Sequence, residues 1–409
     1  MTLLYLSFND PTANPGVHRK EREFCQAMGR ACRRAGIVFH GLNLFSSRRG
    51  AAARSSAGGF LQIRSVSSLF YHTFSGFRLV RALLRTGPLL RTAAEEVRRL
   101  NPDVVLCRYT FLYLTRVFDP KTILPNILSV TIHQSKEPEE LRLNRLGFVF
   151  VPYERWVASR TFRRVDGLIG VTREILDFEL QRAGRKIPAF VFSNRKDVAS
   201  VPAKKRFDFD GCELRMIFLS GVYERWHGLD RLLYAMAAYT GVVRLHLNVV
   251  GPVSRDIHTL VDRLGLGDRV SYNRYRHGRV LDRMIDEAHL AIGGLALHRK
   301  GLRDGCTLKV REYAARGIPF VLAHRDEDLD GRSRFFLRVA AGERPLNIND
   351  LITFADRIYR RYGDRIGDLL RRDAEHTIDY GPGIGELIAF IRRVARDSLT
   401  GRNPPARGE

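Results

Sequence analysis

Along this chain, short apolar runs of strand length alternate with longer segments whose apolar residues recur at helical spacing. Thr2–Phe8 predicts a strand, Val17–Ala35 a helix and Ile37–Leu44 a second strand, with the polar loop Asn9–Gly16 between the first two. Strands follow at Asp103–Arg108, Ile127–His133 and Gly167–Val171, with a helix over Glu139–Arg164. The pattern then breaks, because Asn194–Asp208 is polar and without period and reads as a linker. It restarts with strand Leu214–Ser220, helix Gly228–Tyr239, strand Arg244–Val250, helix Ser254–Leu264 and strand Arg269–Tyr272. Helix Arg279–Glu287, strand Leu290–Gly293, helix Thr307–Ala315 and strand Ile318–Ala323 complete the run.

Strand–helix alternation implies a parallel sheet covered by helices on both faces. Two such runs predict an α/β chain of two Rossmann-like, doubly wound domains. The expected division is a first domain over 1–195, a linker over 196–210 and a second domain over 211–380. A helix in 381–398, centred on the amphipathic Ile384–Val394, is expected to pack back towards the first domain, and 399–409 is expected to be a disordered tail. Ligands bind such sheets beyond the carboxyl ends of the strands, so the loops that follow strands are the places to look for chemistry.

Composition fits this picture. The chain has 409 residues, enough for two ordinary domains, and is 44% hydrophobic. Its five cysteines are scattered and form no C-x-x-C pair, which argues against a disulfide framework or a zinc ribbon and for a reducing compartment. The start, MTLLYLSFND, lacks the basic-then-apolar form of a signal peptide, and no run of apolar residues is long enough to span a bilayer. A cytoplasmic location is expected.

The net charge of +24 changes the picture more. The first 200 residues hold 32 Lys and Arg against 16 Asp and Glu, and eight arginines lie between Ser46 and Ala94 with no acid among them. A bias this local points to an anionic partner. It equally suits a composition that places arginine wherever a surface cation is tolerated. Arg78, Arg81 and Arg85 share one face of a predicted helix, with Phe77, Val80, Leu83 and Leu84 around the rest and aromatics upstream, as an interfacial helix requires. They are the candidate surface for an anionic membrane, peripheral on its inner face, or for an acceptor. No zinc spacing, basic zipper or aromatic RNA-binding strand accompanies the charge, so no nucleic acid is expected as partner, although a basic nucleic-acid-binding protein stays an alternative.

The richest segment is Gly293–Val321, GGLALHRKGLRDGCTLKVREYAARGIPFV. Its glycines admit a ligand close to the backbone. His298, Arg299 and Lys300 follow, then Asp304, Gly305 and Cys306. Thr307 can cap a helix carrying Lys309 and Glu312, and a free helix start binds phosphate through its amides. A second strand–Gly–helix junction lies at Ser220–Leu233, where Gly221, Arg225 and His227 sit ahead of the next helix. Taken singly, each segment also reads as a capped helix with solvated charges.

Together the two segments resemble the nucleotide-sugar-binding domain of family-4 retaining glycosyltransferases of the GT-B fold, in particular a bacterial branch of surface-polysaccharide assembly. Asp304 and Glu312 have the spacing of that family's two carboxylates, and Gly317-Ile318-Pro319 follows as it does there. The resemblance implies a central cleft between the domains. It implies that Asp304 holds the donor sugar and Glu312 the ribose, and that Arg225 and His227 clamp the pyrophosphate. His227 stands where the family has lysine and Asp304 where it has glutamate. Asn14 and Gly16 resemble the first cleft loop, His133 the active-site histidine, and Asn194 the linker asparagine. The implied function is transfer of a sugar from a nucleoside-diphosphate sugar to a glycan or a lipid-diphosphate-linked acceptor, with retention. No cofactor is implied, and no metal is expected because no acidic pair is placed to hold one. The two departures leave a catalytically inactive GT-B scaffold as the alternative.

Overall fold

The computed structural model describes residues 1–9, 15–46, 53–57, 60–65, 90–109, 120–143, 147–221 and 223–400. Its backbone falls into two compact units, Met1–Phe192 with Gly381–Glu409, and Ser193–Tyr380.

In the first unit, β1 (Thr2–Ser7) leads into α1 (Pro15–Arg34) and β2 (Val38–Ser46). Strands β3 (Ala53–Ala57) and β4 (Phe60–Ser65) come from the basic segment. After them come α2 (residues 90–100), β5 (Val104–Arg108), α3 (Pro120–Ile123), β6 (Leu128–His133), α4 (Glu137–Arg142), α5 (Gly147–Arg164), β7 (Gly167–Gly170), α6 (Arg173–Ala183) and β8 (Ala189–Val191). The sheet order is β3-β4-β2-β1-β5-β6-β7-β8, parallel except for β3 against β4. The first strand is flanked by β2 on one side and β5 on the other, so the winding reverses between β1 and β5. Central strands β1, β5 and β6 are buried almost throughout, as a sheet covered on both faces requires.

Where one helix was expected over Glu139–Arg164 there are two, α4 and α5. Pro138 lies in the first turn of the first, and the Gly147 Cα lies so close to the end of that helix that a Cβ would stand 2.7 Å from the Leu141 carbonyl oxygen. The residues carrying Arg78, Arg81 and Arg85, Asn14 and the 401–409 tail lie outside the described residues.

The second unit contains β9 (Glu213–Leu219), α7 (Leu229–Ala238), β10 (Arg244–Val250), α8 (Arg255–Arg263), β11 (Val270–Asn273), α9 (Arg279–Glu287) and β12 (Leu290–Ile292). Then come α10 (Leu308–Arg316), β13 (Phe320–Leu322), β14 (Phe336–Arg338), α11 (Ile348–Tyr362) and α12 (Arg365–Thr377). Its sheet, β11-β10-β9-β12-β13-β14, is wholly parallel and reverses winding between β9 and β12. One apolar core joins both faces, from Met216, Phe218 and Leu247 to Phe354 and Ile358.

The segment expected to be a linker is packed chain. Val198 and Val201 are buried in the core of the second unit, and Lys204 donates from Nζ to the Ile285 and Asp286 carbonyls. Its polar sequence hides this because the lysine stem is buried while its ammonium caps a helix end. The last helix, α13 (Tyr380–Thr400), is longer than Ile384–Val394 and begins where the second unit ends. Within the first unit it stacks Phe390 on Phe190 at 5.3 Å, and Arg392 donates to the Ala35 carbonyl.

Gly251 closes β10 with φ +110°, and a Cβ there would lie 1.8 Å from the Ser220 carbonyl oxygen. Gly211, with φ +83°, has open space around it. Gly251→Ala should therefore cost about 2–4 kcal/mol and Gly211→Ala about 1 kcal/mol, read as shifts of the denaturant midpoint. Equal costs at the two positions would show that the close approach of β10 to β9 is not what fixes Gly251.

Candidate functional site

The reversal between β9 and β12 is where sheets of this kind bind ligands, and two loops and one helix start meet at the carboxyl ends of the two strands. After β9 the chain passes Ser220 and Gly221 to a 3-10 turn, Arg225–His227, and reaches α7 through Gly228 at φ +72°. After β12 it passes Gly293 and Gly294 to a second 3-10 turn, Leu297–Lys300, then Asp304–Cys306, and enters α10 at Thr307. The two loops touch: Leu295 N donates to the His227 carbonyl at 2.9 Å, and a Cβ on Gly228 would stand 2.9 Å from Ala296 N.

Helix α10 is held into the gap by Tyr313. Its buried hydroxyl donates to the Ile292 carbonyl (3.1 Å) and accepts from Leu219 N (2.9 Å), so one side chain ties the ends of β12 and β9 together. One turn earlier, Lys309 comes under the end of β9. Its stem is partly exposed, but its Nζ is enclosed, has no hydrogen-bond partner among the described residues, and lies 4.0 Å from the Phe218 ring centre. Burial pushes its pKa down to about 7. Thr307 occupies the N-cap position without capping, and its Oγ1, like Ser220 Oγ, is buried with no hydrogen-bond partner among the described residues. The crevice thus carries a desolvated ammonium, two unused hydroxyls and a helix start with no side-chain cap. Each of these is costly to leave unmade and each is satisfied by an anion.

The other expected residues divide. Arg225 is exposed at the rim, with no ion pair or side-chain hydrogen bond among the described residues. His227 accepts the Glu224 N–H at Nδ1 (3.3 Å), and its pKa is pushed down to about 2, by burial first and then by Lys309 and Lys300. It can offer a neutral Nε2–H to a ligand but no charge. Arg299, expected among the phosphate ligands, has its five N–H donors directed to Asp230, Glu343 and the Arg225 carbonyl, which makes it the clamp between the two loops. Asp304 is buried and paired bidentately with Arg325 at 2.8 and 2.9 Å. Glu312 is bound by Arg316 (2.7 Å) and Lys196 (3.2 Å). Burial alone would raise its pKa, but these two cations bring it below the usual carboxylate range, so it stays ionised. Asn194 donates to the Cys306 carbonyl, fixing the turn before α10.

Two groups at the rim were not among the candidates. Ser220 was visible as the last residue of a strand. His324, just beyond β13, donates from Nδ1 to the Gly294 carbonyl (3.2 Å) and leaves Nε2 buried and without a hydrogen-bond partner among the described residues. Burial first, with the cationic Arg311 and Lys309 adding to it, pushes its pKa down to about 4. No local motif marks it, because it reaches the crevice only through the parallel pairing of β12 with β13.

In the first unit, the reversal between β1 and β5 places Arg108 at 3.2 Å from the fully buried Glu21, beside Asn9. Gly16 lies in the first turn of α1 with open space where a Cβ would be. His133 closes β6, but the ring is 1% exposed and enclosed by groups of its own unit, stacked on Tyr109 at 4.5 Å. The residue expected to face the donor sugar is thus buried within its own unit. The strand-end position was legible; the α4 and α6 side chains that cover it were not.

Among solved structures, the chain is similar to sucrose-phosphate synthase from Thermosynechococcus elongatus, with 12% identity over 97% of this chain and 100% of that one and a TM-score of 0.72. It is similar to Anabaena Alr3699/HepE in complex with UDP and glucose (14% identity, 96% and 100% covered, TM-score 0.62). It is also similar to the lipopolysaccharide outer core galactosyltransferase WaaB (13%, 96% and 99%, 0.61). No family model matches the chain, and no curated protein matches it. At these identities the likeness establishes the fold, and the fold is GT-B.

If Lys309 is a buried ammonium held without an anion, removing its charge should help the empty protein. Between about 7 and the ordinary 10.5 the unfolded chain holds the lysine proton and the folded chain does not, so stability from this residue rises with pH across that window. Lys309→Met should be more stable than the parent at pH 6, with the difference shrinking towards pH 10, in urea denaturation. A difference independent of pH would place the ammonium in solvent.

Proposed function

We propose that this chain transfers a glycosyl group from a nucleoside-diphosphate sugar, with the diphosphate seated in the crevice between β9 and β12. The observation that carries the reading is the unpartnered Lys309 ammonium beside Ser220, Thr307 and the uncapped start of α10. Departure of the nucleoside diphosphate builds negative charge on its phosphate oxygens, and fixed cations and amides facing that charge lower the barrier. Lys309 and the first-turn amides of α10 supply it, with the backbone at Gly221 open to close approach and Arg225 at the rim. Lys309 takes up a proton as the dianion arrives, because an adjacent negative charge raises the pKa that burial had lowered. Glu312, ionised, offers acceptors for the ribose diol. No step in this reading needs a metal ion. UDP or UDP-sugar complexes of similar folds support the donor class. The resemblance of the α10 segment to retaining enzymes supports retention. The Asp304–Arg325 pair favours one second reading, a scaffold that binds the donor without turning it over.

A polysaccharide or lipid-diphosphate-linked acceptor is part of the proposal, and with it peripheral binding to an anionic membrane. Support lies on α5, where Phe148, Val149 and Trp156 are exposed on one stripe with Arg155 and Arg163, and Arg160 lies over the Trp156 ring at 4.1 Å. Apolar and aromatic residues beside arginines form the face an interfacial helix needs.

Calorimetry of the full chain with UDP and GDP tests the site. Binding should take up a proton near pH 8, seen as an enthalpy that varies with the buffer's ionisation heat. Lys309→Met should weaken it by about 10-fold or more, roughly the strength of one charge-assisted contact. No affinity for any nucleoside diphosphate would end the reading, whereas binding with no release of diphosphate from any sugar nucleotide would establish the scaffold. For the surface, sedimentation with vesicles containing anionic lipid should carry the protein down at low salt. A Phe148→Ser, Trp156→Ser, Arg160→Glu variant should stay in solution. Equal sedimentation of the two proteins removes α5 from membrane binding.

A further inference from the structure

The first unit contains a buried polar cluster that the proposed transfer does not use. At its centre is His133, the last residue of β6. Its Nε2 lies 3.2 Å from Thr131 Oγ1, and in the tautomer that donates Nε2–H to that hydroxyl, Nδ1 presents a bare lone pair. That lone pair faces two carboxylate oxygens, Glu137 Oε2 from the first turn of α4 at 3.7 Å and Glu179 Oε2 from α6 at 3.9 Å. These distances are too long for hydrogen bonds, and neither Nδ1 nor Glu137 Oε2 has a hydrogen-bond partner among the described residues. Three candidate ligand atoms from three elements therefore converge within 4.8 Å of one another, one of which, Glu179 Oε2, accepts from Arg182 at 2.9 Å.

The charges around them sharpen the point. Glu154 and Glu179 are fully buried, and both bond to the guanidinium of Arg182. Glu154 also accepts from the Tyr109 hydroxyl at 2.9 Å. One arginine thus faces three carboxylates, counting Glu137, and the neighbouring Lys136 is taken by Glu174 at 2.7 Å. Burial raises the pKa of Glu137 and of Glu179 to about 8, so protons balance the cluster and a divalent cation would displace them.

We propose that His133 Nδ1, Glu137 and Glu179 bind one divalent first-row transition ion, for which zinc is the best match. One imidazole and two carboxylates suit zinc, which bonds each at about 2.0–2.2 Å, so that ligand atoms in a tetrahedral site stand roughly 3.3–3.5 Å apart. The present separations close to that by small side-chain rotations. The hydroxyl of Thr131 on the far ring nitrogen and Arg182 on the far side of Glu179 are the outer partners such ligands carry. Glu137 is 15% exposed and gives the ion its way in. Bound there, the ion fastens α4 and α6 to the end of β6. The sequence expectation of no metal rested on the absence of a closely spaced acidic pair, and these ligands are spread over 46 residues.

The test uses the full chain, stripped with a chelator and titrated with Zn2+ by calorimetry and with Co2+ by visible absorption. One ion per chain should bind, the cobalt form should show d–d bands of a nitrogen–oxygen site without thiolate charge-transfer absorption, and zinc should raise the melting temperature. Glu137→Gln should bind at least about 100-fold more weakly with an unchanged far-UV circular dichroism spectrum, the loss expected for a direct ligand where an outer partner costs 10–100-fold. Glu137 is chosen because, unlike Glu179, it is not bonded to Arg182. The proposal is overturned if the folded parent binds neither ion more tightly than about 100 μM, a free energy of only about 5 kcal/mol; protons alone then hold the cluster. It is equally overturned if Glu137→Gln and His133→Asn both bind like the parent.

Discussion

The second unit is organised by a single hydroxyl. Where β9 and β12 lie side by side at the reversal of the sheet, their chains leave in opposite directions and the backbone groups at their ends lose their next ladder partners. Tyr313 supplies both, donating a hydrogen bond to the Ile292 carbonyl and accepting one from the Leu219 N–H. Everything at the rim follows from that fixed point. Helix α10 can approach only in the orientation that brings Lys309 against Phe218 and leaves the helix start facing the crevice. Gly228 and Gly251 are glycines because the loops around this point pass at backbone contact.

Charge in this protein is used inward more than its surface suggests. Arg311, 1% exposed, holds Asp326 with two hydrogen bonds, reaches Asp328 and donates to the Asn194 carbonyl. Arg231 gathers the carbonyls of Leu295, Ala340 and Arg344, and Arg371 those of Val198, Val201 and Ala315. A guanidinium has five donors in a fixed plane, so it can close several loop carbonyls that no strand or helix satisfies. Part of the arginine excess is thus internal framework. The two proposed sites differ in this light: at Lys309 a cation lacks an anion, and at His133 acceptors lack a cation.

The sequence alone determined the order of the central elements of both sheets and left β3, β4, α6, β8, β14, α11 and α12 unread. Alternation of apolar runs and helical periods located β1, β2, β5, β6, β7 and the run from β9 to β13 to within one or two residues, since burial on both faces of a parallel sheet forces a continuous apolar run. It also located the two strand–Gly–helix junctions, because a tight turn against a ligand-facing strand end demands glycine whatever the partner. The tertiary structure alone decided which polar side chains at those junctions are free. Lys309, Arg299, His227 and Asp304 look alike in sequence, as polar residues near glycines. The fold leaves the first desolvated and unpaired, spends the second and the fourth on carboxylate and guanidinium partners 21 to 69 residues away, and makes the third neutral. It likewise buried His133 among Glu137 and Glu179, and buried Val198, Val201 and Lys204 of the segment 196–210. The availability of a polar group depends on burial and on partners distant in sequence, and local residue spacing carries neither.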